Sequence, residues 1–271
     1  MGQALSGAKQ ARKTVVVTGA AGGIGTALAW SYGKRGARLG LLDRDEAGAQ
    51  ALADALASSG IEATPAACDV TDADGCANAV AQVRDRLGPV DVLINNAGLT
   101  HVAPFSQTPL SSVRRLMDVN FFGAVHCTHA ALDDLVARSG RIGVISSVAG
   151  FAPLVGRTGY AASKHALHGF FDTLRAELVA AGVSVTLVCP SFTQTAFGEN
   201  ALGTEAQKRS RKTTGALATP EEVAEATVAG LEARRRLVLP TRLSRTSWLV
   251  SRLLPTFYER RMRAAMAAND A

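Results

Sequence analysis

TVVVTGAAGGIG spans residues 14–25, and two physical patterns meet inside it. Thr14 to Thr18 is a short β-branched run, the pattern of a strand buried on both faces. A glycine-rich half follows at once, with Gly19, Gly23 and Gly25 spaced G-x-x-x-G-x-G and Ile24 between the last two. Beyond Gly25 the pattern turns helical. Glycines between a strand and a helix allow a tight turn and close approach of the backbone to a ligand. The helix start adds free N–H groups and the positive end of its dipole. Such a turn suits an anion, here the pyrophosphate of a dinucleotide.

The alternation continues along the chain. RLGLLD (38–43), VDVLIN (90–95), IGVISS (142–147) and VSVTLVC (183–189) read as buried strands, with EATPAACDV (62–70) weaker and RLVLPT (236–241) last. Helical patterns fall at 45–58, 72–86, 158–181 and 219–231, the last opened by Thr219, Pro220 and Glu222 as a capping box. Strands alternating with helices predict an α/β fold: one doubly wound Rossmann domain on a parallel sheet. No internal repeat or low-complexity linker divides it. Residues 1–13 read as a flexible N-terminus, 14–240 as the domain and 241–271 as a basic amphipathic C-terminal extension.

At 271 residues, 47% of them apolar, the chain is long enough for one large core. No run approaches the roughly 20 uncharged apolar residues of a membrane span, and no secretory leader is evident. MGQALS formally fits a myristoylation pattern, one short enough to arise by chance. Cys68, Cys76, Cys127 and Cys189 lie far apart without paired spacing. That points away from a metal site or disulfide framework and toward a reducing, cytoplasmic setting. The net charge of +6 is local. Residues 1–231 balance, and the excess comes from nine arginines against Glu232, Glu259 and Asp270 in 232–271. A neutral main domain argues against a nucleic-acid partner.

Asp43 ends the second strand, about 20 residues beyond the glycine turn, where a carboxylate accepts hydrogen bonds from ribose hydroxyls and repels a 2′-phosphate. It favours NAD over NADP. Arg44 could pair with that phosphate, so the dipeptide is mixed. Asp45 and Glu46 read as first-turn helix charges. Tyr160 and Lys164 lie four apart on a helix and share one face. A tyrosine is a poor base near neutrality, and an adjacent ammonium stabilises its phenolate, the tuning that acid–base catalysis requires. Ser147 ends a strand, where open α/β sheets place ligands, and could hold a substrate oxygen.

TGAAGGIG, CDVTD (68–72), NNAG (95–98), Asn120 of DVNFFG, Ser147, YAASK (160–164) and PSFTQT (190–195) occur in one order that resembles the short-chain dehydrogenase/reductase family over roughly 14–240. The resemblance implies an NAD(P)-dependent oxidoreductase acting on an alcohol or carbonyl. It makes Tyr160 the catalytic acid/base, with Lys164 on the nicotinamide ribose, Ser147 orienting the substrate oxygen and Asn120 holding a relay water. Asp69 and Val70 would meet the adenine. Asn96, Ala97 and Gly98 would floor the nucleotide site, Pro190 would line it, and Thr193 (by its backbone) and Thr195 would hold the nicotinamide carboxamide. The family's usual Pro-Gly is Pro190-Ser191 here, which the backbone tolerates if φ is negative. The family also implies a homodimer or homotetramer through helices near 110–137 and 158–181. A cofactor-binding scaffold or sensor without turnover is the alternative, but such relatives typically lose the tyrosine or lysine. Dehydratase and epimerase branches usually carry longer substrate domains, which are absent here.

His101 reads as a solvated loop residue, His126, His129, His165 and His168 as packing or interface residues, and Asp133 and Asp134 as solvated charges. Lys208 to Lys212 form a solvated stretch of the 191–218 segment, a substrate lid in the family. Phe151, Pro153, Leu154, Val155, Phe192 and Phe197 suggest an apolar pocket for a lipophilic alcohol or ketone. In the tail, Pro255 divides helices near 243–253 and 256–268. Trp248, Leu249, Leu253 and Phe257 interleave with Arg242, Arg245, Arg252, Arg260, Arg261 and Arg263. This pattern suits peripheral membrane contact through 242–266, a lid or subunit contact, or a solvated appendage.

Overall fold

β1 (Thr14–Thr18) is buried along its whole length, as an apolar run without alternation must be, and it runs through the middle of the sheet. The computed structural model describes residues 12–198, 201–203 and 217–267. β1 pairs on one side with β2 (Arg38–Asp43), beyond which lies β3 (Ala63–Ala67). On its other side stand β4 (Val92–Asn95), β5 (Arg141–Ile145), β6 (Ser184–Val188) and β7 (Leu237–Val238). The order β3-β2-β1-β4-β5-β6-β7 is parallel throughout. Chain direction across the sheet reverses between β1 and β4. The carboxyl ends of these two strands therefore flank a crevice, the usual ligand position of an open α/β sheet.

Helices cover both faces. α1 (Gly23–Gly33), α2 (Glu46–Ser58) and α7 (Pro220–Glu232) pack on one face through Leu28, Leu56 and Val228. α3 (Ala73–Leu87), α5 (Gly123–Ala137) and α6 (Thr158–Leu178) cover the other through Val80, Leu135 and Phe171. The predicted capping box of α7 is present: Thr219 Oγ1 accepts the Glu222 N–H at 3.1 Å, and Glu222 Oε2 accepts the Thr219 N–H at 2.9 Å. α4 (Leu110–Met117) runs into α5 through one π-helical turn, Asp118–Phe122. β7 is shorter than the 236–241 run predicted, since Pro240 brings no N–H to the ladder.

The extension forms α8 (Arg242–Leu253) and α9 (Pro255–Ala267), divided at Leu254 just before the proline. Thr241 and Ser244 cap α8 reciprocally. No helix among the described residues is long and apolar enough to cross a membrane. The MGQALS stretch and Lys208 to Lys212 lie outside the described residues. Asp134 is not a solvated charge. Its Oδ2 accepts from Arg84 Nε at 2.8 Å and from the Val90 N–H at 3.1 Å, tying α5 to the start of β4.

Candidate active site

The glycine turn is shaped by what a side chain would strike. Gly19 has φ +63°, and a Cβ there would come within 2.8 Å of Ala97 Cα. At Gly25 a Cβ would overlap the Gly19 carbonyl oxygen, so the turn closes only because both positions are bare. A Cβ on Gly23 would meet Thr195 Cγ2 at 2.7 Å, which lets the loop after β6 close over the turn. α1 begins at Gly23 without a side-chain cap. Opposite, the loop after β4 is stitched to β1. Asn96 Nδ2 donates to the Thr18 and Gly19 carbonyls at 3.0 Å, while Thr18 Oγ1 accepts the Asn96 and Ala97 N–H groups.

At the far end Asp43 accepts the Ala21 N–H at 2.9 Å and the Asp45 N–H at 3.0 Å, which fixes both its oxygens at the turn. Asp69 accepts the N–H and hydroxyl of Thr71. These bonds, with Arg115 Nη2 at 3.7 Å, hold its carboxyl below the usual carboxylate range.

Near the middle of the crevice α6 buries Tyr160 and Lys164 on one face. Lys164 Nζ donates to the Ile145 carbonyl at 2.8 Å and stands 5.8 Å from the Tyr160 ring centroid. Burial of this ammonium lowers its pKa to about 8. Ser147 follows β5 in extended backbone, and its Oγ accepts the Ala149 N–H at 3.2 Å to start the short turn Val148–Gly150. The π-helical turn aims Asn120 inward. Its Oδ1 accepts the Leu99 N–H at 2.7 Å, and its Nδ2 donates to the Leu99 carbonyl and to Ser163 Oγ.

One cleft of about 430 Å³ joins these parts. It is lined at its glycine-turn end by Gly19, Gly23, Ile24, Asp43, Arg44, Asp69 and Val70. Its floor is Asn96, Ala97 and Gly98, and its other end Ser147, Tyr160, Lys164, Pro190, Thr193 and Thr195. Of the predicted residues, Gly25 and Asn120 do not line it: the first shapes the turn from behind, the second braces Leu99 and Ser163 from within the core.

The family model for short chain dehydrogenases matches residues 13–206. The chain belongs to the short-chain dehydrogenase/reductase family. A zebrafish (Danio rerio) dehydrogenase/reductase, SDR family member 7B, is 35% identical over 260 residues, covering 92% of this chain and 84% of the relative. An 11-beta-hydroxysteroid dehydrogenase A from Sesamum indicum is 39% identical over 184 residues, 67% of this chain and 53% of that protein. A Burkholderia phymatum short-chain dehydrogenase/reductase solved in complex with NAD superposes with a TM-score of 0.82 at 25% identity, over 89% of this chain and 93% of that one.

Several residues in and around this cleft have no signal in the local sequence. Arg115 reaches the nucleotide end from α4. Behind Ser147, Ser146 Oγ lies 3.0 Å from His168 Nε2, and Cys189 Sγ lies 3.6 Å from the same nitrogen. Burial drives the His168 pKa down to about 4. Its four-residue spacing from Lys164 was the one available hint. His101 is buried, not solvated, through its bridge to Leu202, and burial first, then Arg157, lowers its pKa. Arg157 is buried as well, donating to Thr100 Oγ1 at 2.7 Å with its guanidinium 5.9 Å from the Tyr160 ring.

Leu154 and Phe197 join an apolar cluster around Tyr160 with Leu99 and Leu202, whereas Phe151 packs against His168 and Val155 is exposed. Ser191 is not among the non-glycine residues at positive φ, so serine fits where the family usually has glycine. Its Oγ lies 2.9 Å from Thr241 Oγ1, linking the loop over the cleft to the cap of α8. Sequence spacing also concealed a cluster of cysteines. Cys68, Cys76 and Cys127 come from separate elements, and their sulfurs converge within 4.8 Å.

Proposed function

We propose that this enzyme transfers hydride between NAD(H) and a lipophilic secondary alcohol or ketone (or primary alcohol and aldehyde), with Tyr160 as the acid/base. One observation carries the reading: Tyr160 and the buried Lys164 share a face of α6 and open into the same cleft as the bare glycine turn. That turn fits a pyrophosphate, because a Cβ at Gly19 or Gly25 would fill the space the backbone needs. A bound nicotinamide supplies the hydride donor or acceptor at the substrate carbon.

The remaining chemistry belongs to the chain. Tyr160 moves the proton on the substrate oxygen, and the Lys164 ammonium stabilises charge on the phenolate. Ser147 orients that oxygen, and Asn120, its side-chain amide taken up by Leu99 and Ser163, supports the proton relay from behind the cleft wall. Gly19, Gly23, Ile24, Gly25, Asn96, Ala97 and Gly98 cradle the dinucleotide, Asp69 and Val70 receive its adenine, and Pro190, Thr193 and Thr195 hold the carboxamide. Asp43, anchored to two backbone N–H groups, accepts ribose hydroxyls and favours NAD, against the opposite pull of Arg44. The NAD carried by the Burkholderia phymatum protein supports the cofactor class. Leu99, Leu154, Phe197 and Leu202 around Tyr160 support an apolar substrate, as does the name of the sesame relative.

Absorbance at the reduced-nicotinamide band over a panel of lipophilic alcohols, with NAD and NADP compared, tests the reading. Tyr160→Phe should abolish turnover and leave NADH binding nearly intact. Retained turnover would overturn the mechanism.

Domain 14–240 then carries the reaction, and the extension 241–271 carries attachment. Exposed Leu249, Leu253, Leu254 and Phe257 lie among arginines, a combination suited to peripheral contact with an anionic lipid surface. Vesicles of anionic lipid should sediment the full chain and not a truncation after Thr241; equal binding by both would sink this assignment. Exposed Phe122, just before α5, and Phe170 on α6 support a homodimer through those helices.

A further inference from the structure

Three thiols from three elements meet beneath the nucleotide end of the cleft. Cys68 follows β3, Cys76 stands early in α3 and Cys127 lies on α5. Cys76 Sγ is 3.8 Å from Cys68 Sγ and 3.5 Å from Cys127 Sγ, and all three sulfurs lie within 4.8 Å of one another. Cys76 and Cys127 are fully buried, and Cys68 is 5% exposed.

Burial alone does not make a site, because cysteine also serves as a small apolar core residue. Convergence on a common centre is the stronger observation. Metal–sulfur bonds of about 2.3 Å, spread around a trigonal plane, set sulfurs about 4 Å apart. The two separations to Cys76, 3.8 and 3.5 Å, lie within about half an ångström of that spacing, and the third pair lies within 4.8 Å. The donor set is soft, which excludes magnesium and calcium. It also stops at three: among the described residues no histidine or carboxylate joins the group. His126 is nearest in sequence to Cys127, yet its Nδ1 is turned to the Val70 carbonyl at 3.0 Å. Structural zinc takes four ligands, whereas three thiolates alone match Cu(I).

A route in exists, since Cys68 also lines the cleft. Cys76, in the opening turns of α3, sits toward the positive end of that helix, which offsets part of the charge of buried thiolates.

We propose that Cys68, Cys76 and Cys127 form a three-sulfur site for a thiophilic metal ion, with Cu(I) matching the donor number. Each sulfur that ligates releases its proton to solvent, and no electron changes hands. The site stands independently of the hydride-transfer reading, because none of the three cysteines serves that chemistry.

The test is an anaerobic titration of the reduced full-length protein with Cu(I) delivered from a chromogenic chelator. We expect one Cu(I) per chain, a thiolate-to-copper charge-transfer band and three sulfur neighbours in copper X-ray absorption. Cys76→Ala, at the centre of the cluster, should weaken binding by at least about tenfold. Cys189→Ala, outside it, should bind as the parent does. Circular dichroism and melting establish whether each variant folds. If Cys76→Ala does not, the sulfur count on the unaltered chain still decides. Two sulfur neighbours, no uptake, or undiminished uptake by folded Cys76→Ala overturns the site. So does a purified chain that, denatured, titrates two thiols short, since the cluster would then form a disulfide.

Discussion

Replacing Lys164 by methionine keeps an unbranched apolar stem and removes a buried cation. The side chain is buried at the wall of the cleft, and burial moves its pKa from the ordinary 10.5 to about 8. That displacement corresponds to about 3 kcal/mol of cost to the folded state while the group is charged in both states, below pH ~8. The sign follows from proton binding. Between pH 8 and 10.5 the unfolded chain still holds a proton that folded Lys164 has released, so stability rises with pH through that window. Methionine removes the penalty but also the 2.8 Å hydrogen bond to the Ile145 carbonyl, a loss of about 1 kcal/mol. The cofactor-free Lys164→Met protein should therefore be more stable than the parent by about 2 kcal/mol at pH 7. The advantage should shrink as pH rises and become a deficit of about 1 kcal/mol once the lysine is neutral in both states. Urea unfolding of both proteins, followed by circular dichroism at several pH values, measures this. A difference that stays constant with pH would refute the burial argument. Because the same ammonium is assigned to the phenolate, the variant should gain stability while losing turnover.

Other outcomes follow from the nucleotide end. Gly25→Ala forces a methyl against the Gly19 carbonyl, so it should cost at least about 2 kcal/mol in denaturant unfolding. It should also abolish NADH binding by fluorescence. Asp43→Ala removes the acceptor of the Ala21 and Asp45 N–H groups and leaves Arg44 beside the cleft. The ratio of NADPH to NADH affinity should rise at least about tenfold, as expected when a charge opposing the 2′-phosphate is removed.

The glycine turn, the strands and the Tyr160–Lys164 pair were legible in sequence because each depends on local rules. Positive φ at Gly19, burial of an unalternating β-branched strand and four-residue spacing on a helix are all settled within a few residues. His101 and Asp134 were not legible in this way. A histidine or carboxylate looks the same in sequence whether water or a folded neighbour surrounds it. Asn120 was found by motif, yet its contacts with Leu99 and Ser163 depend on a π-helical turn that no local pattern announced.

The tail shows the same division. Its two helices and the break at Pro255 follow from proline's missing donor and fixed φ. The tie between Ser191 and Thr241 depends on where β6 and β7 end, 50 residues apart in the chain. Local sequence carried the doubly wound fold and the strand–glycine–helix turn, because periodicity and glycine placement act over short range, and the order of the motifs carried the likeness to the family. Only tertiary structure decided which side chains lose water and which distant atoms meet. Cys68 and Cys76 stand 8 residues apart and Cys127 another 51 along the chain, and only the packing of α3 and α5 beside the end of β3 brings the three sulfurs together.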